Sequence, residues 1–257
     1  MNTDHVLYSF GDSTAKVVFN RPEARNAMTL DMYEALYDAC EKVDADDRVR
    51  VMVLRGAGGQ SFVAGTDIRE FVEFATGEDG ISHEKRVERV IRRLESMRKP
   101  TIAVVDGHAL GGGMAIAAVC DLRICSEQAK FGIPIARTLG NCLSIENYAR
   151  LVALVGPART KEMIYTARSL SADEAHAVGL ATEVLPAENL DARVDELCRT
   201  LAQHAPITLR VTKEAIRRLR RESLEGDDLV SEAYGSKDFK EGVTAFLEKR
   251  APKWRGR

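Results

Sequence analysis

Two apolar runs in the first half of the chain, Val49–Leu54 and Thr101–Val105, lack polar alternation and hold β-branched residues, so each predicts a strand buried on both faces. His5–Phe10 and Ala15–Asn20 flank Gly11-Asp12 as a hairpin. Behind Thr29, the residues Tyr33, Leu36, Tyr37, Cys40 and Val43 recur at helical steps. They predict an amphipathic helix capped by Thr29, with Asp31 in its first turn. Val87, Val90, Ile91, Leu94 and Met97 predict a second helix over Ser82–Met97, its Arg and Glu residues forming a solvated face before Pro100. Leu122–Cys125 and Ala181–Leu185 read as short strands. NCLSIEN opens a helix that runs to Val155 and stops at Gly156-Pro157, and Ser171 with Glu174 forms a capping box. From about 190 the pattern is helical, over Leu190–His204, Thr208–Arg221 and pieces to Arg250. Strand, small-residue turn and helix follow one another near 17–43, 49–74 and 101–118 without sequence repetition. The chain therefore reads as α/β, with a core over 1–190 and a helical region over 191–257.

The stretch Thr101–Ala118 organises the rest. Its strand runs into Gly111, Gly112 and Gly113, and Met114 to Ala118 then favour a helix. Such a junction leaves backbone N–H groups unpaired, and glycines let another molecule approach them. It suits negative charge on an oxygen, either a phosphate or a developing oxyanion. Met114 stands where a GxxxxGK[ST] phosphate loop needs Lys, and Ile116 stands where a GxGxxG fingerprint needs its third glycine. A second small-residue turn, Ala64-Gly65-Thr66, precedes Asp67, which reads as a helix cap.

With 257 residues, 45% of them hydrophobic, the chain is large enough for one sizeable core. Its net charge of −2, from 37 basic and 39 acidic residues, argues against a general nucleic-acid or membrane-surface binder. No apolar run has the length of a transmembrane helix, and the N-terminus lacks the basic and apolar regions of a secretory signal. Five cysteines without CxxC spacing fit reduced thiols, mostly in the core, and a cytoplasmic location is expected. The five histidines form no HExxH and no Cys/His cluster, so no metal site is expected.

Four stretches, NRPEARNAM, FVAGTDIRE, VVDGHALGGGMAIAAVCDLRIC and EGVTAFLEKRAPKW, together resemble the crotonase family, the enoyl-CoA hydratase/isomerase superfamily. They occur in that family's order and span nearly the whole chain. The resemblance implies a spiral of ββα turns and acyl-CoA thioester substrates. It also implies C-terminal helices that build a homotrimer or a dimer of trimers, with no cofactor beyond the coenzyme A carried by the substrate. It further implies that the backbone amides of Thr66 and Gly112 form an oxyanion hole for the thioester oxygen. Ala64, Asp67 and Ile68 would line the adenine end of coenzyme A, Arg25 and Arg69 would contact its phosphates or adenine, and Phe246 and Lys249 would help to cover it. Each arginine reads equally as a surface cation, and Phe246 as packing.

Against the family pattern, Ala115 and Ile135 stand at the positions of the two hydratase glutamates, and neither can activate water. The nearby segment supplies Arg137, Asn141, Cys142, Ser144 and Glu146. Glu146 reads either as a first-turn acid behind a Ser144 cap or as a single isomerase-like base. Arg137 reads either as a structural cation or as the anchor for a substrate carboxylate in a decarboxylase or C–C hydrolase. Cys142, with His108 as its base, would make a thiol hydrolase; as a core cysteine it would be inert. The expectation is an acyl-CoA-processing enzyme, lyase or isomerase, whose usual bases are replaced. A non-catalytic acyl-CoA-binding protein is the third reading.

Overall fold

The computed structural model describes residues 4–220, 228 and 236–256. Strands β1 (Val6–Gly11) and β2 (Thr14–Phe19) form the expected hairpin, Val6 opposite Phe19. Helix α1 (Leu30–Ala45) follows, its Thr29 side chain accepting from the Met32 amide. The chain then advances by a repeated unit of two strands and a helix. The units are β3 (Val51–Gly56), β4 (Ser61–Val63) and α2 (Gly77–Glu95), then β5 (Thr101–Val105), β6 (His108–Leu110) and α3 (Gly112–Val119). A third unit has β7 (Leu122–Ser126), β8 (Lys130–Gly132), the short α4 (Ile135–Thr138) and α5 (Ile145–Tyr165). Strand β9 (Ser169–Ser171), helix α6 (Ala172–Ala177) and strand β10 (Glu183–Leu185) close the spiral.

Each unit gives its first strand to one sheet and its second to another. The sheets run β1-β2-β3-β5-β7-β10 and β4-β6-β8-β9. From β2 onward the large sheet is parallel. Its strands are covered on both faces, which is why Val51–Leu54 and Thr101–Val105 are continuously apolar. One face, with Met52, Leu54, Ala103 and Val105, joins Leu36, Leu94 and Ile116 in the main core. The other, with Val51, Val53, Ile102, Val104 and Ile124, packs on Leu190, Val194 and Cys198. Those last three belong to α7 (Leu190–Gln203), which is followed by α8 (Pro206–Arg220) and a helix over Lys237–Leu247.

The structure differs from the sequence reading at several boundaries. Helix α2 begins at Gly77 rather than Ser82, because a capping box between Thr76 and Asp79 starts it despite Gly77 and Gly80. Strands β6 and β9 are three residues each, too short for a periodic signal. Gly156, at φ 77°, breaks α5 where Gly-Pro marked a stop, and the helix resumes at Pro157. The reading beyond Arg220 falls partly on 221–227 and 229–235, which lie outside the described residues. Among the described residues no helix is long and apolar enough to cross a membrane.

Candidate active site

NRPEARNAM is a stitch between turns. Asn26, fully buried with φ 57°, accepts from the Arg21 amide at 2.9 Å and donates to the carbonyls of Ala57 and Ser61 at 2.9 and 2.8 Å. Buried Arg21 donates to the Ala27 carbonyl at 2.7 Å and to the Asp67 carboxylate at 3.1 Å. Asp67 caps its helical turn by accepting from the Arg69 amide, and the Arg69 guanidinium grips the same carboxylate from outside. Arg69 first, then Arg21, hold the Asp67 carboxyl far below the usual carboxylate range. Asp67 is thus a fixed structural anion, as its cap role implied. The sequence alone does not single out Arg21 and Asn26, because their burial and their partners at 57, 61 and 67 exist only in the fold.

This stitch aligns Ala64-Gly65-Thr66 beside the start of α1. The Ala64 amide donates to the Arg25 carbonyl, and Met28 and Thr66 form a parallel bridge through bonds to Gly65 and from Asp67. The Thr66 amide has no hydrogen-bond partner among the described residues, and the Gly112 amide, at the first turn of α3, has none either. The two bends meet. A Cβ on Gly112 would overlap the Tyr33 hydroxyl and lie 3.5 Å from the Thr66 nitrogen, while one on Gly113 would overlap the Val63 carbonyl. Only glycine allows this approach. The arrangement brings together two bends from separate turns, each carrying an N–H without a partner among the described residues.

The Tyr33 hydroxyl closes this space from α1, 3.0 Å from Thr66 Oγ1. Burial pushes it up to about 12, the Thr66 bond opposing and the Glu84 charge adding to the rise. Ala115 and Ile135 are both buried aliphatic residues of the main core.

A cavity of about 1040 Å³ lies between α2 and the segment 141–146. Phe71, Phe74, Leu143 and Ile145 line it, together with three carboxylates, Glu84, Glu88 and Glu146. The expected solvated face of α2 is therefore corrected. Glu88 is buried and bound at 2.7 Å through each oxygen to Arg150 of α5, and it accepts from Ser144 Oγ at 3.2 Å. The sequence of α2 alone does not show that a buried cation waits on a neighbouring helix. Glu146 pairs with Arg92 at 2.8 Å. Glu84 accepts from the Ser144 amide at 3.1 Å. Burial, with the Glu88 charge adding, raises the Glu84 carboxyl above its ordinary range. His83 is buried between Phe71 and Phe74, with ring centroids at 4.8 and 5.6 Å, and its Nδ1 has no hydrogen-bond partner among the described residues. Burial lowers its pKa.

Ser144 does cap α5, accepting from the Asn147 amide. Cys142, expected in the core, is exposed on the cavity wall, the other four cysteines being buried. The His108 ring meets the Gln60 carbonyl at 3.2 Å and makes no bond to Cys142. Arg137 is exposed, forms no ion pair among the described residues and does not line the cavity. Arg25 is exposed at φ 51°, Ile68 is exposed beside the bend, and Lys249 is exposed at φ 52°. The Phe246 side chain lies outside the described residues. Among the described residues no cluster of three metal-ligating side chains occurs.

Comparison with known proteins identifies the architecture. Residues 9–257 match the family described as Enoyl-CoA hydratase/isomerase. The chain is 36% identical over 258 residues to a short-chain-enoyl-CoA hydratase of Clostridium acetobutylicum, covering 97% of each protein. It is 34% identical over 259 residues to a crotonyl-CoA hydratase of Syntrophomonas wolfei, again covering 97% of each. Among solved structures it superposes, at a TM-score of 0.93 and 31% identity, on an enoyl-CoA hydratase/carnithine racemase from Magnetospirillum magneticum, covering 100% of this chain and 97% of the other. The spiral α/β fold and the match along the whole chain lead to one assignment: this protein belongs to the enoyl-CoA hydratase/isomerase family.

Proposed function

We propose that the protein is an acyl-CoA-processing enzyme that stabilises a thioester enolate between the Thr66 and Gly112 amides. The observation that supports the reading is the closeness of the two bends that carry those unpaired N–H groups, with a Cβ position of Gly112 only 3.5 Å from the Thr66 nitrogen. Removing a proton beside a thioester, or adding a nucleophile to its enoyl bond, moves negative charge onto the carbonyl oxygen. Two donors fixed before reaction stabilise that charge by about 3 kcal/mol each. Both donors are main chain, so Thr66 serves as well as Ala. Arg25, Ile68 and Lys249, all exposed, are proposed to meet coenzyme A.

Within this reading Ala115 and Ile135 stand in place of the hydratase glutamates. Neither side chain exchanges a proton, so hydration through a paired acid and base is not available by that route. The expected activity is proton transfer next to the thioester, with slow hydration of crotonyl-CoA. The test is a thioester panel with the unaltered enzyme, following binding by calorimetry and products by mass spectrometry. Hydration of crotonyl-CoA at the rate of an ordinary hydratase would refute the account of the replaced bases. Failure of any thioester to bind would refute the acyl-CoA reading itself.

A further inference from the structure

If Ala115 and Ile135 cannot move protons, another group must. Three carboxylates line the cavity, and their partners separate them. Glu88 is neutralised by two bonds to Arg150. Glu146 is neutralised by Arg92 at 2.8 Å. Asp67, near the amides, is held by Arg21 and Arg69. A carboxylate locked onto a guanidinium is a poor base, because taking a proton forfeits the ion pair. Glu84 differs. Among the described residues its only bond is to the neutral Ser144 amide at 3.1 Å, and it is in no ion pair.

The cavity adjoins the two bends. Tyr33, whose hydroxyl touches both bends, is one helical turn before Tyr37 on α1, and Tyr37 lines the cavity with Glu84; Phe71, five residues after Thr66, lines it too. His83, the residue before Glu84, also borders the cavity; it is 5% exposed, and its Nδ1 lacks a partner among the described residues.

We propose that Glu84, supplied by α2, is the catalytic base of this site. The proposal rests on the acyl-CoA reading above. The Glu84 carboxylate takes a proton from the carbon next to the thioester carbonyl, and the C–H electron pair becomes the enolate held by Thr66 and Gly112. The carboxylic acid so formed gives up a hydrogen to the enolate in turn. When its proton has first been traded for one from solvent and is delivered to the original carbon, the result is exchange; when the proton is delivered two carbons further along a β,γ-unsaturated acyl group, the double bond moves into conjugation. Nothing else is consumed. One carboxylate suffices, consistent with buried aliphatic side chains at 115 and 135.

The test is deuterium exchange at the α-carbon of butyryl-CoA in heavy water, followed by NMR, with isomerisation of 3-butenoyl-CoA as a second readout. Glu84→Gln keeps an acceptor for the Ser144 amide and is expected to fold and to bind butyryl-CoA as the unaltered enzyme does. It should slow both reactions by about 100-fold or more. Glu196→Gln, on α7 and outside the cavity lining, should leave them within about three-fold. Added formate should restore part of the exchange to Glu84→Ala, which a purely structural role would not permit. Exchange within about three-fold of normal in Glu84→Gln overturns the assignment and leaves the acyl-CoA reading standing. Absence of exchange in the unaltered enzyme also overturns it, and calorimetry with butyryl-CoA then decides separately whether the thioester site exists.

Discussion

Gly112 tolerates no side chain, because a Cβ there overlaps the Tyr33 hydroxyl and crowds Thr66 Oγ1 at 3.2 Å. Gly112→Ala should therefore displace the α3 amide and reduce turnover about 100-fold, the scale of losing one oxyanion donor. Adding Tyr33→Phe removes the clashing oxygen and should recover part of the thermal stability, read as Tm. Asp67 makes a second prediction at this scale. Asp67→Asn weakens a buried pair that ties two turns together and should cost about 3 kcal/mol, measured by urea unfolding. Its folded carboxyl lies far below the ordinary value of about 4. The stabilisation is therefore complete above that value and declines as pH falls toward the folded value. Below about pH 4 the unaltered protein should lose stability more steeply than Asp67→Asn.

Helices α2 and α5 are joined by charge where most of the core is joined by apolar contact. Arg150, 3% exposed, binds Glu88 and Glu95 of α2 and also Asn147 of its own helix. Arg150→Ala takes the bidentate cation from buried Glu88, while Glu95 keeps Arg220 at 2.6 Å, and should cost about 3 kcal/mol. The double change Glu88→Leu with Arg150→Met removes both charges of the main pair and should cost less than the single one, which a double-mutant cycle on Tm would show. The same network holds the Ser144 amide over Glu84, so α2 and the start of α5 position one wall of the cavity together. At α6, Ser171 and Glu174 form a reciprocal capping box. Ser171→Ala should cost about 1 kcal/mol and leave thioester binding unchanged.

The whole molecule wraps two sheets and their helices into one spiral, and part of its helical surface stays apolar. Ile216 and Leu219 of α8 are 63% and 59% exposed, and Ile216 also borders a cavity of about 440 Å³ lined by Val119, Leu122, Leu154 and Leu209. Such a patch on a charged surface fits self-association, and we expect sedimentation to give a trimer or a multiple of three. Ile216→Asp should shift the sedimenting species toward smaller mass while leaving helical content by circular dichroism unchanged. A monomer in the unaltered protein would refute the expectation.

Much of this organisation is local and could be read along the chain. The buried strands show as unbroken apolar runs, α1 as a helical stripe behind its Thr29 cap, and the two bends as small residues where no side chain fits. Periodicity, capping and glycine steric freedom act over a few residues, so a linear reading captures them. The short strands β6 and β9 escaped because three residues carry no period. The charged groups escaped for a different reason. Whether Glu84, Glu88 or Glu146 remains basic depends on which guanidinium sits opposite, and Arg150 lies 62 positions from Glu88 and Arg92 lies 54 from Glu146. The bends themselves are local, but their meeting at Thr66 and Gly112 is not. It depends on β4 pairing with β6, Val63 beside Ala109, and on Arg21 and Asn26 fixing the Thr66 bend through groups up to 46 residues away; only the folded chain brings those partners within hydrogen-bond reach.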